Sequence, residues 1–241
     1  MHPFAQTNIQ LYNQLQCAAY PGSDPLVIHR AYALAVELFT SCFRGSGKPF
    51  LAHAVGTASI LASLRLPATH VAAGLLHASY ALGEFGTGWK GMTEAKRTRL
   101  RKRVGQEVED LVARYTLLEW NGQDIRDIHA RIDAISPEER SVLVIRLANE
   151  LEDHLDAGIL YCRDAERRKD HLRSSLYLCV EMAERLGIPE LASQLSQTFQ
   201  QTLTASVPPS LRGPGHASHS VAPASHRLKV GYALRGLLGR R

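Results

Sequence analysis

Two histidines stand where they could do chemistry. His53 lies in Pro-Phe-Leu-Ala-His-Ala-Val-Gly and His77 in Ala-Ala-Gly-Leu-Leu-His-Ala-Ser-Tyr, each near an end of a predicted helix. An imidazole titrates near neutral pH and ligates metals through either ring nitrogen. A convergent pair can therefore move a proton, hold a cation or hydrogen-bond a polar ligand. Taken alone, each reads first as a core histidine with satisfied nitrogens. Tyr80 and Glu84 follow His77 at i+3 and i+7, on one face if the helix continues. Further on, Leu143, Leu147, Leu151 and Leu155 repeat every four residues. Asn149, Glu152, Asp153 and Asp156 form a polar stripe roughly opposite. Such a stripe is either a solvated face or a pocket wall.

The elements that must position these groups read almost entirely as helix, because apolar residues recur at helical spacing and alternating runs are scarce. Helices are expected over about Phe4 to Ala19, Pro25 to Phe43, Leu51 to Leu64 and Pro67 to Leu82. More follow over Thr93 to Arg103, Gly105 to Leu118 and Ile125 to Ile135. Ser136-Pro137-Glu138-Glu139 is a strong helix start, and that helix is expected to reach Tyr161. Helices over Asp164 to Leu186 and Pro189 to Leu203 complete the set. The short Arg65-Leu66-Pro67 turn makes the two histidine-bearing helices antiparallel neighbours, which brings His53 and His77 to one end of the pair.

Arg44-Gly-Ser-Gly-Lys-Pro-Phe-Leu-Ala-His53, the later Ala-Gly-Leu-Leu-His77, Gly105-Gln-Glu-Val-Glu-Asp-Leu-Val112 and Val144-Ile-Arg-Leu-Ala-Asn-Glu-Leu151 occur in that order. Together they resemble the HD superfamily of metal-dependent phosphohydrolases, in particular the hydrolase domain of RelA/SpoT-type alarmone enzymes. The resemblance covers roughly residues 31–160 and implies an all-α, HD-like helical bundle. It also implies a metal held by two histidines and two aspartates. His53 and His77 occupy the histidine positions, whereas Ala78 and Asn149 stand at the aspartate positions. The family's water-positioning Glu-Asp pair maps to Ala81 and Leu82, and its guanine-stacking arginine to Arg44. Two imidazoles and an amide make a weak, uncharged site that favours Zn²⁺ or Fe²⁺ over Mn²⁺, or holds no metal. The expected catalytic set is His53, His77, Tyr80, Glu84 and Glu150. Arg44, Asn149 and Asp153 are expected to bind substrate, and His53 and His77 to be the weak metal ligands.

Composition bounds the rest. At 241 residues with 45% hydrophobic content, the chain fits one helical domain over 1–204 and a tail over 205–241. The tail is rich in Ser, Pro, Gly, Ala and His, which predicts disorder. It carries six Lys/Arg and no Asp or Glu; taking these from the net +5 leaves −1 for the helical part. No apolar run is long enough for a membrane span, and no secretory leader is legible, so a cytoplasmic protein is expected. Cys17, Cys42, Cys162 and Cys179 are scattered, which argues against a zinc ribbon or redox dithiol. The basic run Lys96 to Arg103 lacks interleaved aromatics, which argues against nucleic acid as partner. Three functions fit: an enzyme with repurposed HD chemistry on a small polar or phosphorylated metabolite, a catalytically inactive nucleotide- or small-ligand-binding module, and an interaction protein using the basic tail.

Overall fold

The computed structural model describes residues 3–86, 88–213 and 215–221. Local sequence sets the helix starts. Thr7 and Gln10 form a capping box at α1 (Asn8–Cys17), as do Asn121 and Asp124 at α8 (Gly122–Ala130). Ser136 and Glu139 do the same at α9 (Pro137–His154), whose first residue is proline. These boxes satisfy amide donors that a helix start would otherwise leave unpaired.

One hydrophobic core runs through the bundle. Its centre is α3 (Phe50–Ser63), buried on nearly every side, with α1 and α2 (Asp24–Phe39), α4 (Ala68–Leu76) and α9 packed around it. α7 (Gln106–Leu117) lies against both α4 and α9. α10 (Ala165–Arg185) and α11 (Pro189–Thr204) pair with each other at the far end of α9. The approach of α3 to α4 is close: a Cβ on Gly74 would lie 2.5 Å from Leu61 Cδ1. That closeness brings the end of α4 to the start of α3.

Four expected helices end several residues early. The one expected to Phe43 stops at Phe39 and gives way to a short strand, and the one expected to Ile135 stops at Ala130. The one expected over 67–82 breaks at His77, leaving a separate turn, α5 (Ser79–Leu82). The His77 ring bonds the Gly74 carbonyl at 2.8 Å and the Ser79 hydroxyl donates to the Leu76 carbonyl at 2.7 Å. Such local side-chain bonds compete with the helical ladder. The helix expected to reach Tyr161 stops at His154. Asp156 and Ala157 then adopt left-handed φ angles of 54° and 55°, and a 3₁₀ segment runs over Leu155–Tyr161.

The basic run lies in α6 (Glu94–Val104), and its arginines are engaged within the chain. Arg97 and Arg101 both bond the buried Glu109, at 2.7 and 2.8 Å, while Arg99 and Arg103 both bond Glu37. Arg97 also meets Asp110, and Arg101 also meets Glu94.

Of the segment after 204, residues 222–241 lie outside the described residues, and with them the amphipathic patch at 227–238. Residues 205–213 and 215–221, where the tail was expected to begin, lie against the bundle, with a 3₁₀ turn at Pro209–Leu211. Val207 is buried with Ile159, Leu160 and Ala165. β2 (His219–Ser220) pairs antiparallel with β1 (Cys42–Phe43). Backbone pairing, the Val207 contact and side-chain bonds to Lys169, Arg168 and Glu166 hold a segment that its composition could not have ordered alone. Among the described residues no helix is long and apolar enough to cross a membrane.

Candidate active site

The site is assembled by three pieces of chain. The turn after β1 bonds Arg44 N to Lys48 O at 2.8 Å, which hangs the Arg44 and Lys48 side chains side by side. Pro49 then opens α3 and sets His53 in its first turn. The last turns of α9 supply Asn149, Glu152 and Asp153. The Glu152 carboxylate is 1% exposed and bridges two nitrogen partners: Lys48 Nζ on Oε1 and His53 Nδ1 on Oε2. Gln6 Nε2 donates to the same Oε1 at 3.5 Å. Arg44 pairs with Asp153 Oδ1, which lies 3.5 Å from His53 Nδ1. Gly56, one turn beyond His53, makes room for this carboxylate. A Cβ there would fall 2.6 Å from Glu152 Oε1 and 2.7 Å from its Cγ.

Beyond His53 the chain of contacts continues. His53 Nε2 faces His77 Nε2 at 3.3 Å, and His77 Nδ1 meets the Gly74 carbonyl at 2.8 Å. The acceptors assign the protons. Gly74 O can only accept, so His77 carries its proton on Nδ1 and leaves Nε2 bare. Glu152 accepts from His53 Nδ1. Two bare lone pairs would repel at 3.3 Å, so the gap between the two Nε2 atoms suits a shared proton or a small cation. Burial, followed by the neighbouring His53, pushes the His77 pKa down to about 3, so this ring stays neutral at physiological pH. Phe50 packs on both rings, with centroids 5.0 Å from His53 and 5.8 Å from His77. Tyr115 meets His77 edge-on at 5.2 Å. The Tyr115 hydroxyl accepts from Arg146 Nη1 at 2.9 Å, and Arg146 pairs with Glu150. Burial raises the Asp153 carboxyl, but Arg44, His53 and Arg146 outweigh it and hold the group well below the usual carboxylate range.

A cavity of about 50 Å³ opens beside these groups, lined by Arg44, Lys48, His53, Glu152, Asp153 and Arg168 among others. The structure thus brings His53, His77, Arg44 and Asp153 into one cluster. Tyr80 and Glu84 are not part of it. Because the helix breaks at His77, the expected common face is lost: Tyr80 is fully buried and donates to Glu109 at 2.7 Å, while Glu84 pairs with Lys90 at 2.5 Å. Glu150 turns away to Arg146 and touches the histidines only through Tyr115. Sequence reasoning left Glu152 open as a solvated residue and passed over Lys48 and Gly56. The spacing of Glu152 from Asn149, one helical turn, was the available signal.

The family's metal can be weighed against these residues. Two nitrogens about 2.0–2.1 Å from one tetrahedral ion stand about 3.3 Å apart, matching the 3.3 Å between the two Nε2 atoms. Each Nδ1 is held by an oxygen acceptor, as in histidines that ligate metals. Asn149 is buried and its Oδ1 has no hydrogen-bond partner. The two Nε2 atoms therefore suit a Zn²⁺- or Fe²⁺-type ion, and without carboxylate ligands there they lack the charge a Mn²⁺ site needs. His53, Glu152 and Asp153 also form a group whose donor atoms lie within 4.8 Å of one another. There the counter-charge already comes from Lys48 and Arg44.

Comparison with known proteins agrees with this architecture. The chain is 40% identical over 58 residues to the bifunctional (p)ppGpp synthase/hydrolase RelA of Mycobacterium tuberculosis, a stretch covering 24% of this chain and 8% of that protein. It is equally similar over 58 residues to a probable GTP pyrophosphokinase of Mycobacterium bovis, covering 7% of it. The matched stretch is thus under a tenth of the length of either relative. The HD domain family model matches residues 31–189, from α2 to the start of α11. With a helical bundle, facing histidines and that match, the chain belongs to the HD domain family.

Proposed function

We propose that this protein is a divergent HD-domain enzyme acting on a small phosphorylated or otherwise anionic metabolite, with Glu152 and His53 doing work that carboxylate-bound Mn²⁺ does elsewhere in the family. The observation that carries this reading is the buried chain Lys48–Glu152–His53–His77. The carboxylates missing at positions 78 and 149 have counterparts one turn further along α9, on the opposite nitrogen of His53. Glu152 fixes the His53 ring and leaves Nε2 as its working nitrogen. Protonated there, His53 donates to a departing oxygen; deprotonated, it takes a proton from an attacking water. His77, neutral, orients that exchange by accepting from His53 Nε2. Arg44, Lys48 and Arg168 line the cavity and supply cationic binding for the anionic group. Were a Zn²⁺ or Fe²⁺ ion held by the two Nε2 atoms instead, they would serve as ligands rather than proton carriers, and the ion would polarise a phosphoryl oxygen.

The alternative is a catalytically inactive nucleotide- or small-ligand-binding module. It is favoured by one observation: Arg44 and Lys48 are already paired with Asp153 and Glu152. One experiment separates the two. The purified protein is analysed for metals, then incubated with a panel of phosphomonoesters and nucleoside polyphosphates, with and without chelator, while phosphate release and thermal stabilisation are followed. Turnover that His53→Ala abolishes, with stabilisation retained, supports the enzyme. Stabilisation without turnover overturns it in favour of the binding module. The four cysteines are free, in keeping with a reducing cytoplasm.

A further inference from the structure

We propose that residues 215–220 are a self-lid over the candidate site, latched by the β1–β2 pair and opened when an anionic ligand takes Arg168 from the lid's backbone. The ligand's charge rests on the reading above; the lid itself rests on geometry.

Ala217 and Ser218 line the cavity beside His53, which holds about 50 Å³. Pockets for small-molecule ligands run to roughly 300–1,000 Å³. A phosphorylated metabolite needs more room than this, and lifting these two residues away would supply it.

Their hold is a set of backbone bonds and exposed side-chain contacts, among them His216 Nδ1 4.0 Å from Asp164 and His219 stacked on Phe43 at 6.2 Å. Arg163 N donates to Gly215 O at 3.2 Å, the Arg168 guanidinium donates to His216 O, and Val221 N donates to Ser41 O at 2.8 Å. The latch is a two-residue ladder, Cys42 opposite Ser220 and Phe43 opposite His219. The Ser220 hydroxyl adds a bond to Glu84 at 2.9 Å. None of residues 215–220 is buried, so no apolar anchor resists lifting. Segments of this kind open locally at far lower free energy than the whole fold. Arg168 reaches both the cavity and the lid. A phosphate oxygen gives it a charge-assisted bond, about twice as strong as one to a neutral carbonyl. Binding and opening are therefore one exchange of partners.

Two features make the lid testable in the full chain. Cys162 is free, buried and lines the cavity beneath the lid, so its alkylation reports opening. Cys42 Sγ lies 3.5 Å from Ser220 Oγ, so Ser220→Cys offers a reversible lock. In a Cys17→Ser background, the rate of Cys162 alkylation is read by peptide mass and inorganic phosphate binding by calorimetry, oxidised and reduced. The expected result is at least tenfold slower alkylation and at least tenfold weaker phosphate binding when oxidised, both restored by reduction. Ser220→Ala gives an arm that needs no disulfide. It removes the Ser220 hydroxyl's bonds to Glu84 and Cys42, so Cys162 should label severalfold faster than in the parent. Equal Cys162 rates in the oxidised, reduced and Ser220→Ala proteins overturn the lid. Gated labelling with no phosphate binding in either state keeps the lid and overturns its opening by an anion.

Discussion

Replacing Gly56 by alanine should expose how tightly the Glu152 carboxylate is held. In an unconstrained helix interior the change stabilises by up to about 1 kcal/mol, because alanine loses less backbone freedom. Here the new Cβ would lie 2.6 Å from Glu152 Oε1, 2.7 Å from its Cγ and 2.8 Å from Gln6 Nε2. Gln6 can move aside, but Glu152 is fixed by Lys48 on one oxygen and His53 on the other. Overpacking of this kind costs about 1–3 kcal/mol. The clash therefore outweighs the propensity gain, and Gly56→Ala should destabilise by about 1 kcal/mol, near 2–4 °C in Tm. In a Glu152→Ala background the obstacle is gone and the same substitution should stabilise by up to about 1 kcal/mol. Urea denaturation of the four proteins gives the cycle, with an expected coupling of about 2 kcal/mol and a reversal of sign. Effects that agree in the two backgrounds within about 0.5 kcal/mol would falsify the claim that Glu152 is fixed against α3.

Acidification should reveal the neutral His77. Its pKa falls from 6.5 to about 3 on folding, so its contribution is whole above pH 6.5 and is lost as pH falls toward 3, at about 1.4 kcal/mol per unit. Metal-free protein compared with His77→Gln between pH 6.5 and 4.5 should differ in stability loss by up to about 2.7 kcal/mol; parallel curves would refute this. Arg146→Met should cost about 3 kcal/mol, since it leaves Glu150 largely buried and unpaired. Tyr115→Phe should cost about 1–2 kcal/mol through the lost Arg146 bond; chemical denaturation tests both, and no change in either would show the cluster to be incidental. Alarmone pyrophosphate release with Mn²⁺ should be negligible in the parent protein. Ala78→Asp with Asn149→Asp should raise Mn²⁺ affinity by calorimetry, and an unchanged affinity would count against the assigned ligand positions.

The helical bundle was legible because helix starts are written locally, as at Ser136-Pro137 and Thr93. The meeting of His53 and His77 was legible too, since the turn at 65–67 is too short for anything but antiparallel neighbours. What escaped depends on tertiary partners. Glu152 belongs to a polar stripe whose periodicity is the same for a solvated face and a pocket wall; only Lys48, His53 and the space over Gly56 decide between them. Tyr80 and Glu84 were assigned to the site by extending a helix through His77, where side-chain bonds to Gly74 and Leu76 end it. The segment over 205–213 and 215–221 carries no pattern of its own, and its strand pairing comes from a distant two-residue edge at Cys42–Phe43.

The α6 arginines bear on how the molecule behaves in an electric field. Arg97, Arg99, Arg101 and Arg103 face Glu37, Glu94, Glu109 and Asp110, so of the six cations on this helix only the charges of Lys96 and Lys102 are left without a facing carboxylate among these four. Beyond roughly 8–10 Å in physiological salt little of its charge would be felt. The isoelectric point of about 9.1 is then a property of the chain after Ser206, not of the bundle. Residues 1–205 alone carry a formal −1. Cleavage near that point converts a protein held by a cation exchanger at pH 7 into one that passes through it.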